Sequence, residues 1–509
     1  MSEEDFKTAI IEGYTFKKDS IIIGAAMLDG EPVEGLQVKI PLRSMNRHGL
    51  IAGATGTGKT KTLQIIAEQL SMKGVPCLLM DLKGDLSGLA QPGKLNEHIT
   101  WRHQMIADPY EAKGSPIEFL SLSNEPGVKL RATVSEFGPV LLSKILELND
   151  TQQGVIALVF KYSDDNNLPL LNLKDLKKLL QFLINEGKAE IVAEYGAISS
   201  ASVATIMRKI IELEQQGAEN FFGELSFDVQ DLVRTDKDGN GVLSILRLTD
   251  IQDKPKLFST FMLSLLAEVY STFPEEGDAD KPKLCIFIDE AHLIFDNASK
   301  ALLDQIEAIV KLIRSKAVGI YFVTQNPTDL PEAVLSQLGL KVQHALRAFT
   351  AKDRKNIKQT AENYPLTDFY KTDEVLTSMG IGQALVTALN EKGIPTPLAA
   401  TLLRAPASRM DILEQKEISA VINSSQLVKK YDQVIDSKSA YELLTKRLEK
   451  AGDKDHPKEM KSQRSKASKE VKESSTFENM SKNTMVRQMG NTLLREVTRA
   501  LLRMLGVKR

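Results

Sequence analysis

The sequence predicts an α/β protein whose parallel sheet is built around a phosphate-binding loop, and three observations carry that prediction. The apolar run Leu50-Ile51-Ala52 turns through Gly53, Gly56 and Gly58 into Lys59-Thr60, then into the helical spacing Thr62, Leu63, Ile65, Ile66, Leu70. This is G-x-x-x-x-G-K-[ST] in the context it requires, after a strand and opening a helix. A second apolar run, Val75 to Met80, follows at βαβ distance and ends in Asp81, so the strands are expected to run parallel. A third, Leu284 to Ile288, delivers the adjacent carboxylates Asp289 and Glu290.

The 509 residues carry a formal net charge of −2, and 42% are hydrophobic. That apolar share is ample for a large core. The near-neutral balance excludes a polycationic surface, so any contact with nucleic acid must use a local basic patch or an assembled channel. Cys77 and Cys285 both fall inside predicted strands and read as small core residues, neither a disulfide nor a metal pair. The start, Met1-Ser2-Glu3-Glu4-Asp5, is acidic without an apolar signal region, and no run is long enough for a transmembrane segment. A cytoplasmic protein is expected.

In chain order, residues 1–45 alternate short apolar runs with turns such as Asp29-Gly30 and read as a β-rich N-terminal segment. Residues 46–134 form the first part of the core, with Ile117 to Leu122 as a candidate edge strand. Residues 135–235 switch to helical spacing (Val140-Leu141-Leu142-Ile145, Leu176-Leu179-Leu180-Leu183, Val203-Ile206-Ile210-Leu213) and read as a helical insertion. Residues 236–410 resume the core, with strands at Val242 to Leu248, Leu284 to Ile288, Ile320 to Thr324 and Val342 to Leu346. Helices are expected at about 255–272 and 300–316, and a terminal hairpin at Gln383 to Leu389 and Pro397 to Leu403. A C-terminal helical segment, 411–450, leads to 451–483, a Lys/Glu/Ser-rich stretch expected to be a flexible linker. Residues 484–509 predict a basic amphipathic helix, with Arg487, Arg495, Arg499, Arg503, Lys508 and Arg509 against one acid, Glu496. Such a helix suits phosphate contact, docking on a protein, or a membrane surface.

The loop Gly53, Ala54, Thr55, Gly56, Thr57, Gly58, Lys59, Thr60, with Lys61 following, predicts ATP binding. Its glycines let backbone N–H groups approach phosphates, and the helix N-terminus adds partial positive charge. Lys59 is expected on the β- and γ-phosphates, and the Thr60 hydroxyl on Mg²⁺. Asp289 would hold Mg²⁺ and Glu290 would polarise the attacking water. Asp289-Glu290-Ala291-His292 also spells the DEAH box of a helicase class with two such cores per chain. Only one core is present here, so a catalytic arginine is expected from a neighbouring subunit, with a ring as the simplest geometry. Asp236-Lys237-Asp238-Gly239 imitates a calcium loop, but Arg247 stands where a bidentate Glu is needed; a β-turn is expected. Gln325, ending the strand Ile320 to Thr324, lies where a γ-phosphate sensor would sit, although a polar residue ending a strand needs no such role. Arg314, read alone, suits the C-terminus of its helix.

Gly53 to Thr60, Asp81-Leu82-Lys83-Gly84-Asp85-Leu86, Phe287 to His292, Leu312 to Lys316, Thr324-Gln325-Asn326-Pro327 and Val342 to Thr350 stand in an order that resembles the HerA/FtsK superfamily of ring ATPases, specifically its bacterial HerA-like branch. The resemblance covers about residues 46–410. It implies a RecA-like P-loop NTPase core with a helical insertion, a homo-hexamer, and ATP-driven translocation or processing of double-stranded DNA. It also implies Arg314 as an arginine finger supplied in trans, Gln325 as the sensor, Arg347 as a second catalytic arginine or a structural ion pair, and Asp81 at the nucleotide site. Ala317 stands where the branch usually has Gly, a change expected to touch only local packing. A protein partner, a nuclease for archaeal relatives, is left unidentified. The alternative reading is a regulatory or scaffold ATPase acting on a protein partner.

Overall fold

The computed structural model describes residues 2–452 apart from 278, 296–299, 434 and 436. The linker expected to 483 and the basic helix expected at 484–509 lie outside the described residues. The chain divides into two compact units, one of residues 1–131 with 225–433 and one of residues 132–224 with 434 onward.

The first unit holds one twelve-stranded sheet. Its strands, in chain order, are β1 (Ser20–Leu28), β2 (Glu31–Pro41), β3 (Gly49–Ala52), β4 (Cys77–Asp81), β5 (Ile117–Ser121), β6 (Val128–Lys129), β7 (Leu243–Arg247), β8 (Leu284–Ile288), β9 (Val318–Thr324), β10 (Leu340–His344), β11 (Gln383–Thr387) and β12 (Ala399–Leu403). The order across the sheet is β2-β1-β12-β11-β10-β3-β9-β8-β4-β7-β5-β6. From β10 to β6 every neighbouring pair is parallel, and from β10 to β2 every pair is antiparallel. The central strands are continuous apolar runs because helices cover both faces; every residue of β3, β4, β8 and β9 is buried. Cys77 and Cys285 lie opposite each other in the β4–β8 register, both free and buried.

The N-terminal region departs from the sequence reading. Residues Glu3–Tyr14 form a helix, opened by a reciprocal Ser2–Asp5 capping box and burying Phe6, Ile10 and Tyr14. β1 and β2 extend the main sheet through β12 and form no separate element. The i, i+4, i+8 spacing of those three aromatic and aliphatic residues is the signal that the run of acids obscured. The candidate edge strand at Ile117 is β5, with the two-residue β6 outside it. The Asp236 segment is a turn: Asp236 Oδ1 accepts from the N–H groups of Asp238 (2.9 Å) and Asn240 (2.8 Å).

The second unit is helical. Its helices are Val134–Ile145, broken at Gly138-Pro139, Asp150–Asp165, Leu173–Ile184, Lys188–Glu194, Ser200–Gln215 and Ala440–Gly452. The last of these packs back on Leu173–Ile184. The fully buried Asp175 caps its own helix by accepting from the N–H groups of Leu171 and Asn172, 3.0 Å each, and accepts the Tyr441 N–H at 2.8 Å. The stretch read as one C-terminal helical segment is thus shared: Gln415–Ser424 and Gln426–Tyr431 belong to the first unit, and Ala440–Gly452 to the second.

Candidate functional site

The phosphate loop joins β3 to the helix Lys59–Met72, between neighbours β10 and β9. Gly53, Gly56 and Gly58 have φ of 150°, 79° and 113°, values that disfavour any side chain. The Ala54 N–H donates to Ala345 O at 2.9 Å and the Gly382 N–H to Thr57 O at 3.1 Å, so the chain beyond β10 and the turn before β11 hold the loop. Lys59 is buried, and its Nζ donates to the carbonyls of Gly53 (2.7 Å) and Ala54 (3.1 Å). Burial, then the nearby Lys83 ammonium, lower its pKa, against the pull of Glu290 and Asp289. The first-turn N–H groups of the helix have no intrahelical partner and face the loop with the positive end of the helix dipole. The helix itself is fixed by buried polar side chains. Gln69 exchanges hydrogen bonds with both backbone groups of Ile22, and the Glu68 carboxylate accepts from the N–H groups of Ala407 (2.7 Å) and Ser408 (3.1 Å).

Asp289 and Glu290 leave β8 on the same edge of the sheet, where the Ala291 N–H donates to Val323 O of β9 at 2.9 Å. Asp289 is 3% exposed and accepts the Glu290 N–H at 2.9 Å. Burial pushes its pKa up to about 7; Lys83 opposes that shift, and the Glu290 charge adds to it. The hydroxyl of Thr60 and the carboxylate of Asp289 are hard oxygen donors of the kind Mg²⁺ takes, and the Asp289 carboxylate is buried beside the end of β8. The residues therefore fit ATP with Mg²⁺.

Gln325 is exposed directly beyond β9, and Thr324 is in register with Ala52 at the start of the phosphate loop. Arg347 is exposed beyond β10, near the same edge. Asp81 ends β4 but turns inward: its carboxylate accepts from the N–H groups of Gly84 (2.7 Å), Asp85 (3.2 Å) and Leu86 (3.2 Å). Burial, then Asp85, push its pKa up to about 6. The Lys61 ammonium reaches the carbonyl of Met410 and, at 3.2 Å, Gln64 Oε1.

Arg314 is the residue that the sheet separates from the rest. It follows the helix Lys300–Ile313 and precedes β9, beside His48 at the start of β3. The seven residues of β9 put about 20 Å, at ~3.3 Å per residue, between its edge and the loop's edge. Arg314 is exposed and has no ion pair among the described residues. Its segment is anchored by His48, whose Nε2–H donates to Val310 O (2.8 Å) and whose Nδ1 accepts the Ile320 N–H (3.0 Å). Ala317, closing that turn, has φ 56° and ψ 32°. Its difference from Gly is conformational, on the order of 1 kcal/mol, and not only a matter of packing.

Two residues of the site escaped the sequence reading. Lys83 pairs with Glu290 Oε1, and His344, at the end of β10, meets the Thr62 hydroxyl at 2.9 Å beneath the loop. Both lay inside motifs already noted. Lys83 stands between Asp81 and Asp85, whose carboxylates carry the stronger signal in sequence, and His344 ends a strand three residues before Arg347.

A family model for the helicase HerA-like C-terminal region matches residues 27–509. A probable helicase of Methanocaldococcus jannaschii is 26% identical over 370 residues, covering 64% of this chain and 62% of that protein. The DNA double-strand break repair helicase HerA of Sulfolobus acidocaldarius is 23% identical over 374 residues, covering 71% and 66%. The chain thus spans a little under two thirds of the relatives' length. Among solved structures, the bacterial conjugative coupling protein TrwBdeltaN70 superposes with a TM-score of 0.51 at 12% identity, covering 80% of this chain and 94% of that one. TrwB in complex with a non-hydrolysable GTP analogue gives 0.50 at 14% identity, covering 81% and 96%. At such identity the likeness is one of fold, a RecA-like P-loop core. With a phosphate loop, a carboxylate pair and a matching family model along most of its length, the chain belongs to the helicase HerA-like C-terminal family.

Proposed function

We propose that this protein is an ATP hydrolase, one protomer of a homo-hexameric ring that couples hydrolysis to translocation along, or processing of, double-stranded DNA. The observation that carries the reading is the position of Arg314. A residue about 20 Å across the sheet cannot serve its own phosphate loop, yet it stands exposed where a neighbouring loop can meet it. Family membership supports the rest, since relatives are named as DNA repair helicases.

In this reading Lys59 and the first-turn N–H groups of the helix Lys59–Met72 hold the β- and γ-phosphates, and Glu290 orients the attacking water and accepts its proton. Thr60 and Asp289 hold Mg²⁺, which neutralises phosphate charge when bound. Gln325, at the end of β9, contacts the γ-phosphate, and Arg347 lies within the same edge of the site. A neighbour's Arg314 meets the charge that develops in the transition state, a role worth roughly 10³–10⁵ in rate in GTPases.

Double-stranded DNA should stimulate hydrolysis by the purified protein, and the stimulation should fall as salt rises, because phosphate contacts release counterions. If DNA neither binds nor stimulates at low salt while Glu290→Gln still retains ATP, the motor reading fails and a protein-directed ATPase takes its place.

A further inference from the structure

Glu290 is held where it is not free to act. Its backbone is left-handed, φ 47°, a conformation that costs a residue with a Cβ about 1 kcal/mol. Its carboxylate is buried, with Oε1 in an ion pair with Lys83 Nζ. Among the described residues its buried Oε2 has no hydrogen-bond partner, and His292 Nδ1 stands 3.4 Å from it. A base positioned to take a proton from water needs an open lone pair directed at that water; here an ammonium takes one oxygen, and among the described residues no hydrogen bond directs the other.

Lys83 is not in that place by accident of a loose loop. The chain after β4 is bound by the Asp81 carboxylate through the three N–H groups of Gly84, Asp85 and Leu86, and Gly84 turns it at φ 76°. Asp81 thus acts on the site through Lys83. Asp289 and Asp85 also act on the ammonium by charge, and Lys59 is close enough to feel it. The two partners differ in access: the Lys83 side chain is 43% exposed and that of Glu290 10%. The pair can therefore open by Lys83 swinging to solvent, with β4 and β8 unmoved.

We propose that Lys83 is a positioning residue that holds Glu290 off the attacking water and keeps hydrolysis slow until the ion pair opens. This rests on the ATPase reading above. An ion pair that inhibits has a signature opposite to one that builds the site, because its removal raises the rate.

The test is steady-state ATP hydrolysis by the full chain with Mg²⁺ and without DNA, comparing wild type, Lys83→Met, Lys83→Arg, Lys59→Ala and Lys83→Met/Glu290→Gln. Lys83→Met should raise kcat roughly fivefold with KM for ATP changed by less than about twofold. Lys83→Arg should restore the low rate by restoring the charge, and the double variant should be inactive because the gain runs through Glu290. A kcat for Lys83→Met at or below wild type, with an unshifted melting temperature, overturns the proposal and makes Lys83 a phosphate ligand or a bystander. Should the methionine variant melt early, Lys83→Gln repeats the test, and a gain in rate cannot come from misfolding. Failure of the underlying reading looks different. Hydrolysis that is absent from both wild type and Lys83→Met, or that survives Lys59→Ala, removes the ATPase itself, whereas hydrolysis that Lys59→Ala abolishes and Lys83→Met does not raise removes only the catch.

Discussion

At Gly53 an added methyl group would land 2.5 Å from the His344 Cβ, whereas at Gly56 it would meet nothing within 4 Å. Both residues have positive φ, so both substitutions to alanine carry conformational strain, but only the first also carries a clash with a buried strand. In chemical denaturation without nucleotide, Gly53→Ala should cost roughly 3 kcal/mol and Gly56→Ala about 1 kcal/mol. Equal losses would mean that conformation alone governs the loop. The same contrast explains what was legible at this scale. Lys59, Thr60, Asp289 and Glu290 were readable because their motifs are contiguous and each residue type has one chemical use in that setting. Lys83 and His344 were not, because their meaning lies in partners brought near by the fold, Thr62 being 282 residues from His344. Asp81 is expected at the nucleotide site, and its carboxylate holds the backbone that carries Lys83.

Among elements, the apolar strands of the parallel half were visible as uninterrupted hydrophobic runs, and their crossover helices by spacing. The helix Glu3–Tyr14 was hidden by its acidic first turn, whereas Ala440–Gly452 falls almost wholly inside the helical segment expected at 411–450. The junction that aims Arg314 depends on one neutral imidazole. Burial, then the Arg314 charge, lower the His48 pKa to about 4. The folded state keeps His48 neutral down to that value while the unfolded chain binds a proton below about 6.5. Stability from this group is therefore fully present above about pH 6.5 and is lost as pH falls toward 4, by as much as about 3 kcal/mol. His344, also lowered to about 4 by burial and then Lys59, acts in the same direction. Asp81 and Asp289, raised to about 6 and 7, act in the opposite one. The comparison that isolates His48 is the melting temperature of wild type against His48→Gln. The difference between them should shrink as pH drops from 6.5 to 4, and a constant offset would show that His48 is not held neutral.

On the scale of the whole molecule, the sheet fixes what one chain can do alone. Lys59, Thr60, Asp289, Glu290 and Gln325 gather at the carboxyl ends of β3, β8 and β9, and Arg314 stands at the amino end of β9. A RecA-like core was foreseeable from three motifs, and the sharing of helices between the two units was not, since only packing decides which unit a weakly amphipathic helix joins. Among the described residues no helix is long and apolar enough to cross a membrane. The central claim is that the hydrolytic site is completed by a second chain. Its most direct test is to mix Lys59→Ala with Arg314→Ala protein over a range of ratios and measure ATP hydrolysis. Each variant alone should be nearly inactive, and mixtures should recover activity, because an intact loop from an Arg314→Ala chain then meets an intact Arg314 from a Lys59→Ala chain. If no ratio of the two folded, co-assembled variants exceeds either one alone, Arg314 does not complete a neighbour's site and the account is wrong.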